Sequence, residues 1–210
     1  MNNNVENAIW LAKRMLVDSI YRSAGIEGLG TSFPDTENII RGVPTNTTYE
    51  ESTFVINMKR GWEFLLENIS ETSNIMFVRS LHEIICKGLA RDAGGLRTGM
   101  VRISGCSYVP EVPKTGIVYD DLATISKVKD GTTRALMMFC YFSRSQLFWD
   151  GNKRMAQLMA NKALIESGVG ILSVPVERNK EFFAKLVKYY ESNNASELCM
   201  FLSRECIQKV

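Results

Sequence analysis

The stretch Gln146-Leu147-Phe148-Trp149-Asp150-Gly151-Asn152-Lys153-Arg154 separates two apolar runs, residues 135–142 and residues 155–165. Both runs are long enough for buried helices. The Asp-Gly-Asn sequence between them is typical of one helix ending and another beginning. The first N–H groups of the second helix then lie at Gly151, Asn152 and Lys153. Such groups have no partner within the helix and carry partial positive charge, so they can bind an anion.

Three side chains add to the prediction of an anion site at this helix start. Lys153 and Arg154 bring two positive charges, and the planar guanidinium of Arg154 can bind a phosphate through two hydrogen bonds. Asp150 brings a carboxylate that could hold Mg²⁺. The pattern predicts a phosphate or nucleotide site, but a helix start with exposed charges fits it equally well. In that second interpretation Asp150 caps the helix and Arg154 forms a surface salt bridge.

Composition limits the classes of protein that fit the chain. Its 210 residues are 45% hydrophobic, which is enough for a single domain with one core. A formal net charge of +2, without a long basic run, argues against nucleic-acid binding. No stretch has the length and character of a membrane span. The first residues lack signal-peptide features, and the five cysteines have neither disulfide-framework nor zinc spacing, so we expect a cytoplasmic protein with free thiols.

Hydrophobic periodicity predicts an all-α fold. The predicted helices span residues 5–22, 35–41, 50–68, 74–89, 119–129, 131–145, 153–167, 177–191 and 195–208. Between residues 92 and 113, glycines alternate with β-branched residues, which suits one small β-hairpin. We treat residues 1–210 as a single domain with an N-terminal region (1–42), a core (43–192) and a C-terminal helix (193–210).

The segment from Phe148 to Arg154 resembles the active-site motif of Fic-domain proteins, His-x-Phe-x-(Asp/Glu)-Gly-Asn-(Gly/Lys)-Arg. Residues 81–83 and 93–103 are similar to the helix and lead-in before the Fic flap, and residues 104–110 resemble the flap itself. Residues 23–28 match the (Ser/Thr)-x-x-x-Glu-(Gly/Asn) inhibitory motif found before many Fic cores. The similarity covers about residues 23–192. It implies an all-α Fic-like fold with a hairpin flap, ATP and Mg²⁺ as cofactors, and AMP transfer to a hydroxyl group of a target protein.

The resemblance assigns roles to the motif residues. Gly151, Asn152, Lys153 and Arg154 would bind the nucleotide, with Arg154 also counted as catalytic because it would clamp the β- or γ-phosphate. Asp150 would hold Mg²⁺.

Gln146 stands where the family has its catalytic His. An amide cannot act as a general base near neutral pH, and loss of such a base costs on the order of 10²–10⁴-fold in rate. We therefore expect AMP transfer that is impaired or altered. The only histidine of the chain, His82, occupies a structural helix position of the family, so we expect a packed, hydrogen-bonded core residue.

Ser23 and Glu27 carry the inhibitory hypothesis. In the family, this Glu pairs with a second arginine, three residues after the first, and blocks the γ-phosphate position. Here that second position is Gln157, so we expect a weaker clamp that relies on Gln157 or Arg154. Alternatively, residues 23–28 are only a helix end.

Ile103, Ser104, Gly105, Ser107 and Tyr108 form the predicted target flap. Its edge could pair with an extended segment of a target protein that presents a Ser, Thr or Tyr hydroxyl. A plain structural hairpin fits the same residues. The sequence leaves a homo-oligomer open as well.

Two further hypotheses differ in reaction class. In having a Lys at position 153, the chain resembles the death-on-curing toxins. These toxins resemble Fic proteins but transfer phosphate. Those toxins typically have Ala before the Asn, where this chain has Gly151, and they keep the His that Gln146 replaces. The other alternative is a non-catalytic module that binds a nucleotide and a protein partner.

Overall fold

The computed structural model describes residues 3–210. Met1 and Asn2, which begin the predicted N-terminal region 1–42, lie outside the described residues. The described chain is mostly helical, so the prediction of an all-α fold is confirmed. Its elements are α1 (Asn3–Arg14), α2 (Leu16–Glu27), α3 (Phe33–Arg41), α4 (Tyr49–Glu67), α5 (Ile75–Cys86), α6 (Thr115–Ser126), α7 (Gly131–Ser145), α8 (Asn152–Glu166), β1 (Gly170–Leu172), a 3-10 helix (Val176–Arg178), α9 (Asn179–Ser192), α10 (Ser196–Phe201), a π-helical turn (Leu202–Cys206) and β2 (Ile207–Lys209).

The helix α8 is the centre of the fold. Residues 154–165 are buried without exception, and α7 packs along α8 more extensively than any other two elements pack together. Lys162 is buried as well. Its charged Nζ is stabilised there because it donates to the carbonyls of Ile69 (2.9 Å) and Glu71 (2.6 Å). The helix therefore reaches solvent only near its two ends, and the motif lies at the first of them.

Local signals placed several helix ends correctly. The side chain of Asn74 accepts hydrogen bonds from the first turn of α5, and Gly42 ends α3 in the left-handed conformation at φ 75°. The helix α3 begins before its predicted start at residue 35, because Ser32 caps it and its Oγ accepts from the Asp35 N–H. The predicted helix 5–22 is two helices, since the backbone at Met15 departs from helical geometry (φ −93°, ψ 10°).

One small antiparallel sheet is present, but it lies away from the predicted flap. β1 pairs with β2, with Gly170 opposite Lys209 and Leu172 opposite Ile207. The predicted C-terminal helix 193–210 is helical only to Cys206 and then becomes the strand β2. The division of the chain at residues 42 and 192 stays a prediction.

The predicted hairpin at the flap was wrong in its hydrogen bonding. Residues 101–110 contain a turn at residues 104–105, where Gly105 has φ 76°, and no strand. The reason is the buried guanidinium of Arg97, which donates to the carbonyls of Gly99 (2.6 Å), Pro110 (3.2 Å) and Glu111 (2.5 Å). One side chain therefore holds both ends of the flap, and no ladder of backbone hydrogen bonds is needed.

In the part of the chain from residue 3 to residue 210, no helix combines the length and the apolar character needed to cross a membrane.

Candidate active site

The motif loop joins α7 to α8 through two left-handed residues. Gln146 ends α7 at φ 46° and ψ 58°, and Gly151 begins α8 at φ 75° and ψ 7°. The side chain of Asn152 holds the loop between them. Its Oδ1 accepts from the Phe148 N–H at 3.0 Å, and its Nδ2 donates to the Phe148 carbonyl at 2.9 Å. The helix start predicted at Gly151 and Asn152 is thus a closed turn built around Asn152.

Each polar atom of the Gln146 amide forms a hydrogen bond at this loop. Its Nε2 donates to the Ser143 carbonyl at 2.7 Å, and its Oε1 accepts from Asn152 Nδ2 at 3.1 Å. The residue in the predicted base position therefore stabilises the loop. It lines the cleft described below, but it has no group that could take a proton.

His82 supports the loop from beneath. Its ring stacks on Phe148 with 3.6 Å between centroids and 7° between planes. Because the Gly94 N–H donates to Nδ1 at 2.8 Å, the proton is on Nε2, which donates to the Asp150 carbonyl at 3.0 Å. Burial lowers the pKa of His82 to about 4, which keeps the ring neutral. The sequence-based expectation of a packed, hydrogen-bonded histidine is confirmed.

Gly151 is required by space as well as by backbone conformation. A Cβ on this residue would lie 2.3 Å from Cys86 Sγ and 3.2 Å from His82 Nε2. The left-handed φ adds a conformational cost for any other residue. The Ala that is typical of the death-on-curing toxins would therefore be strained at this position and would require Cys86 to move.

Arg154 is buried, so the interpretation as a surface salt bridge was wrong. Its NH1 donates to the Ile85 carbonyl at 3.2 Å, and its NH2 donates to Asp150 Oδ2 at 2.8 Å. Burial opposes its charge, but the neighbouring Glu27 and Asp150 outweigh it, and the pKa of Arg154 is raised. A permanent cation is thus held beneath the first turn of α8.

Asp150 does not cap the helix, so that alternative was also wrong. No side chain caps the start of α8, and the Asp150 side chain, which is 56% exposed, points one carboxylate oxygen at Arg154. Among residues 3–210, no cluster of three or more Asp, Glu, His or Cys side chains could hold a metal ion by itself. A single half-exposed carboxylate nevertheless fits Mg²⁺ that arrives with a nucleotide, since Mg²⁺ is commonly held by one or two carboxylates, phosphates and waters.

Glu27, at the end of α2, reaches the first turn of α8. Its Oε2 lies 3.3 Å from Lys153 Nζ, and its Oε1 lies 4.0 Å from Arg154 Nε. The predicted partner Gln157 instead donates to the carbonyl of Lys153 at 3.2 Å, so the expectation of a clamp through Gln157 was wrong. Lys153 provides the charged partner of Glu27, so no hydrogen bond from Gln157 to Glu27 is needed.

The contact between Glu27 and Arg154 is close but incomplete. Glu27 Oε1 and Arg154 Nε are both buried, and neither has a hydrogen-bond partner among the described residues. The Ser23 hydroxyl, one turn before Glu27, is likewise buried and unpartnered within residues 3–210. Three polar atoms that an incoming group could satisfy therefore lie in this region.

Glu27 and several motif residues border a cleft of about 360 Å³. It lies between the first turn of α8, the end of α2, the flap and α9. Its lining residues are Glu27, Arg102, Ile103, Ser104, Gln146, Trp149, Asp150, Asn152, Lys153, Phe183, Leu186, Val187 and Tyr190. The acidic group from α2 thus faces a wall that carries Lys153, Arg102 and Asp150, with an apolar floor from α9.

The predicted flap residues divide into two groups. Ile103 and Ser104 line the cleft, and Gly105 is exposed at the turn. Ser107 instead binds Glu191 of α9, its N–H at 2.5 Å and its hydroxyl at 2.6 Å. These hydrogen bonds lower the pKa of Glu191.

Tyr108 is the second anchor of the flap. Its ring lies under the guanidinium of Arg144 at 3.7 Å, and Arg144 Nε also donates to the Tyr190 carbonyl at 3.3 Å. The second half of the flap is therefore fastened to α7 and α9, while the first half borders the cleft.

Sequence reasoning missed residues that fasten the flap, among them Arg97 and Glu191. Arg97 is buried and also donates to the Gln146 carbonyl at 2.5 Å, so it connects the flap to the motif loop. Its position between Gly94-Gly95 and Gly99 was the available signal. Glu191 lies 84 residues from Ser107, and nothing in its local sequence distinguishes it from a solvated helix residue.

Comparisons with solved structures identify the fold. Fic-1 from C. elegans matches with a TM-score of 0.73 at 22% identity, over 97% of this chain and 62% of that one. A Fic domain containing signaling protein from Bacteroides thetaiotaomicron also matches with a TM-score of 0.73, at 16% identity, over 97% and 84% of the two chains. A variant of IbpAFic2 in complex with adenylylated Cdc42 matches with a TM-score of 0.59 at 14% identity, over 96% and 74%. The chain has the Fic fold.

Neither a family model nor a curated protein matches the sequence. The chain also spans only 62% of the length of the Fic-1 structure.

Proposed function

We propose that this protein is a Fic-type transferase that moves AMP from ATP–Mg²⁺ to a hydroxyl group of a target protein, at a reduced rate. The observation that carries the proposal is the seating of the Glu27 carboxylate against Lys153 and Arg154 at the start of α8. A side-chain anion from another helix occupies a position that two cations and an uncapped helix start favour. A phosphate group that displaced Glu27 would find the same partners.

Each residue of the motif then has a role in binding. The N–H groups of Gly151, Asn152 and Lys153 face the phosphates, and Arg154 clamps the β- or γ-phosphate. Asp150, whose side chain is half-exposed, would hold Mg²⁺. The metal ion supplies charge neutralisation on the phosphate oxygens when it is bound.

Gln146 accounts for the reduced rate. The target hydroxyl must lose a proton as it attacks the α-phosphorus, and Gln146 cannot accept that proton. Its two hydrogen bonds, to Ser143 and Asn152, keep the loop in shape for nucleotide binding. Binding is therefore preserved, and only the proton transfer is lost.

Glu27 keeps the free protein inhibited. Its carboxylate lies where a terminal phosphate would bind, and like charges about 4 Å apart repel by about 4 kcal/mol at an effective dielectric constant of 20. Lys153 holds Glu27 in place. The Ser23 hydroxyl, one turn earlier on α2, would donate a hydrogen bond to the carboxylate when it moves aside.

The partner is a protein segment that presents a Ser, Thr or Tyr hydroxyl next to Ile103, Ser104 and Gly105. The complex of the IbpAFic2 variant with adenylylated Cdc42 supports a protein as the target of a protein with this fold. A cytoplasmic location and a possible homo-oligomer stay predictions.

A non-catalytic nucleotide-binding module is the second candidate. The observation that favours it is the pair of hydrogen bonds from the Gln146 amide to Ser143 and Asn152, which gives this residue a structural task. The phosphotransferase hypothesis loses its main support, because Lys153 is accounted for by its ion pair with Glu27, and Ala would be strained at position 151.

Transfer from labelled ATP tests the proposal. The full chain is incubated with a cell lysate, Mg²⁺ and ATP labelled at either the α- or the γ-phosphate. Protein labelled only from the α-position supports AMP transfer, and label only from the γ-position supports phosphate transfer. Nucleotide binding in calorimetry without either label identifies a non-catalytic module.

Arg154→Ala tests the site itself. It should weaken ATP–Mg²⁺ binding by about 1–3 kcal/mol, the range for a charge-assisted hydrogen bond. Arg41→Ala is the matched control, because Arg41 is an exposed arginine in a surface ion pair with Glu37. Equal affinities for the two variants would contradict the assignment of Arg154.

A further inference from the structure

Two cysteines that are far apart in sequence meet in the fold. Cys140 on α7 and Cys199 on α10 have their sulfur atoms 3.7 Å apart. They are the thiols among residues 3–210 whose sulfurs are in hydrogen-bond contact with each other, and all five cysteines are free. A disulfide requires about 2.05 Å between sulfurs, so the two sulfurs must move closer together for the bond to form.

One of the two thiols can be reached directly from solvent, and the other borders an open cleft. Cys140, which is 8% exposed, lies at a cleft of about 410 Å³ together with Tyr108, Tyr141 and Tyr189. Cys199 is partly exposed on α10. A small oxidant can therefore approach the pair without unfolding of the chain.

We propose that Cys140 and Cys199 are a redox modification site that forms a reversible disulfide with hydrogen peroxide as the oxidant. The Cys199 thiolate attacks one peroxide oxygen, which gives a sulfenic acid and hydroxide, and the hydroxide is protonated to water. The Cys140 thiol then attacks the sulfenic sulfur, and its proton leaves with the hydroxyl group as a second water. Two thiols and one peroxide thus become one disulfide and two waters.

The order of the two steps follows from the environment of each thiol. The hydrogen bond from Cys140 lowers the pKa of Cys199, whereas the same hydrogen bond and burial raise the pKa of Cys140. Cys199 is therefore the thiolate that reacts with the oxidant, and Cys140 is the thiol that resolves the sulfenic acid.

The disulfide would act on the part of the fold that fastens the flap. One turn after Cys140, Arg144 stacks on Tyr108 of the flap and binds the Tyr190 carbonyl of α9. The Tyr189 hydroxyl donates to the Cys140 carbonyl at 3.2 Å. A covalent link from α7 to α10 would fix these contacts. In a reducing cytoplasm such a link is transient, as is usual for redox-sensing disulfides there.

Peptide mapping of the oxidised full chain tests the proposal. The folded protein is treated with hydrogen peroxide, and the chain is then denatured in the presence of N-ethylmaleimide, which blocks every thiol that remains, and digested without reductant. We expect a cross-linked peptide pair containing Cys140 and Cys199, with Cys86, Cys106 and Cys206 blocked as free thiols. Dithiothreitol should return the pair to free thiols.

Alkylation of both Cys140 and Cys199 after oxidation, or sulfinic acid at either one without a cross-link, would overturn the proposal. Cys199→Ser should abolish the cross-link, whereas Cys206→Ser, which removes a buried thiol from the π-helical turn, should leave it unchanged. The mapping of the natural chain decides the question even if the Cys199 variant does not fold. None of these measurements depends on nucleotide binding or transfer.

Discussion

The carboxylate of Glu27 and the ammonium of Lys153 lie 3.3 Å apart, although 125 residues separate them in the sequence. The pair joins the end of α2 to the first turn of α8 at the mouth of the cleft. Both side chains are partly buried, with 15% and 31% exposure. Such a pair can hold α2 over the cleft and can be opened by a competing anion.

The first prediction concerns this pair. Glu27→Gly should tighten ATP–Mg²⁺ binding about tenfold, or about 1.4 kcal/mol, because a negative charge leaves the phosphate position. A double-mutant cycle with Glu27→Gln and Lys153→Met should give a coupling energy on the order of 1 kcal/mol in ATP affinity. Isothermal calorimetry measures each corner of the cycle.

The matched control is a second double-mutant cycle, in which Gln157 is changed together with Glu27 and Lys153 is left as it is. Because Gln157 binds the Lys153 carbonyl and does not contact Glu27, a cycle of Glu27→Gln with Gln157→Ala should show no coupling. Coupling to Gln157 but not to Lys153 would refute the ion pair as the element that holds Glu27.

The second prediction concerns the missing base. Gln146→His should increase transfer from α-labelled ATP, by up to the 10²–10⁴-fold that a general base contributes. Gln146→Ala is the control, since it removes the hydrogen bond to Asn152 without adding a base, and it should give no increase. If the His variant transfers no more label than the natural chain, proton transfer does not limit the reaction.

The third prediction concerns the glycine that begins α8. Gly151→Ala should lower the free energy of unfolding, because the added Cβ would lie 2.3 Å from Cys86 Sγ. Gly42→Ala is the matched control, because Gly42 has the same φ of 75° as Gly151 and nothing lies within 4 Å of its Cβ position. Ala disfavours the left-handed conformation at both positions, so this conformational cost is common to the two variants. The additional decrease in the free energy of unfolding of the Gly151 variant therefore measures overpacking, which should cost about 1–3 kcal/mol.

Urea unfolding of the two variants provides the comparison. Equal losses would mean that Cys86 moves aside without cost, and the packing beneath the motif would then not distinguish Gly from Ala.

The fourth prediction is a dependence of stability on pH that comes from His82. Its pKa is about 4 in the folded protein and near 6.5 in an unfolded chain, so the folded state binds fewer protons between these values. Stability from this residue is complete above pH 6.5 and is lost as the pH falls toward 4. The total is about 3 kcal/mol, with about 1.4 kcal/mol lost per pH unit in the middle of this window.

Urea unfolding at pH 7 and pH 5 measures this loss, and His82→Gln should remove it. Since His82 is the only histidine, its ring signal in an NMR titration of the natural chain gives the pKa directly. A pKa near 6.5 in that titration would contradict a buried, neutral ring.

Local chemistry was sufficient to predict the helices and the motif turn. Asn74 caps α5, and Gly42 ends α3, because a capping side chain or a left-handed glycine acts within one turn of its own position. The turn at Gly151 and Asn152 followed for the same reason. The family resemblance added the Fic fold and the proposal that residues 23–28 are inhibitory, since both rest on short motifs.

Contacts between distant residues could not be predicted in this way. The flap is not a hairpin because Arg97, upstream of it, takes the carbonyls at both of its ends. The only strands of the described chain form because the last residues return to Gly170–Leu172. Nothing local marks the pairing of Ser107 with Glu191 or the contact between Cys140 and Cys199.

The chemical properties of the motif side chains therefore followed from the sequence alone, whereas the partner of each side chain was decided by the tertiary structure. The sequence already showed that Gln146 cannot be a base, because proton affinity belongs to the chemical group. That Lys153 and not Gln157 holds Glu27 depends on where α2 ends relative to α8. Helix packing sets that distance, and an ion pair forms only between the groups that packing brings within reach.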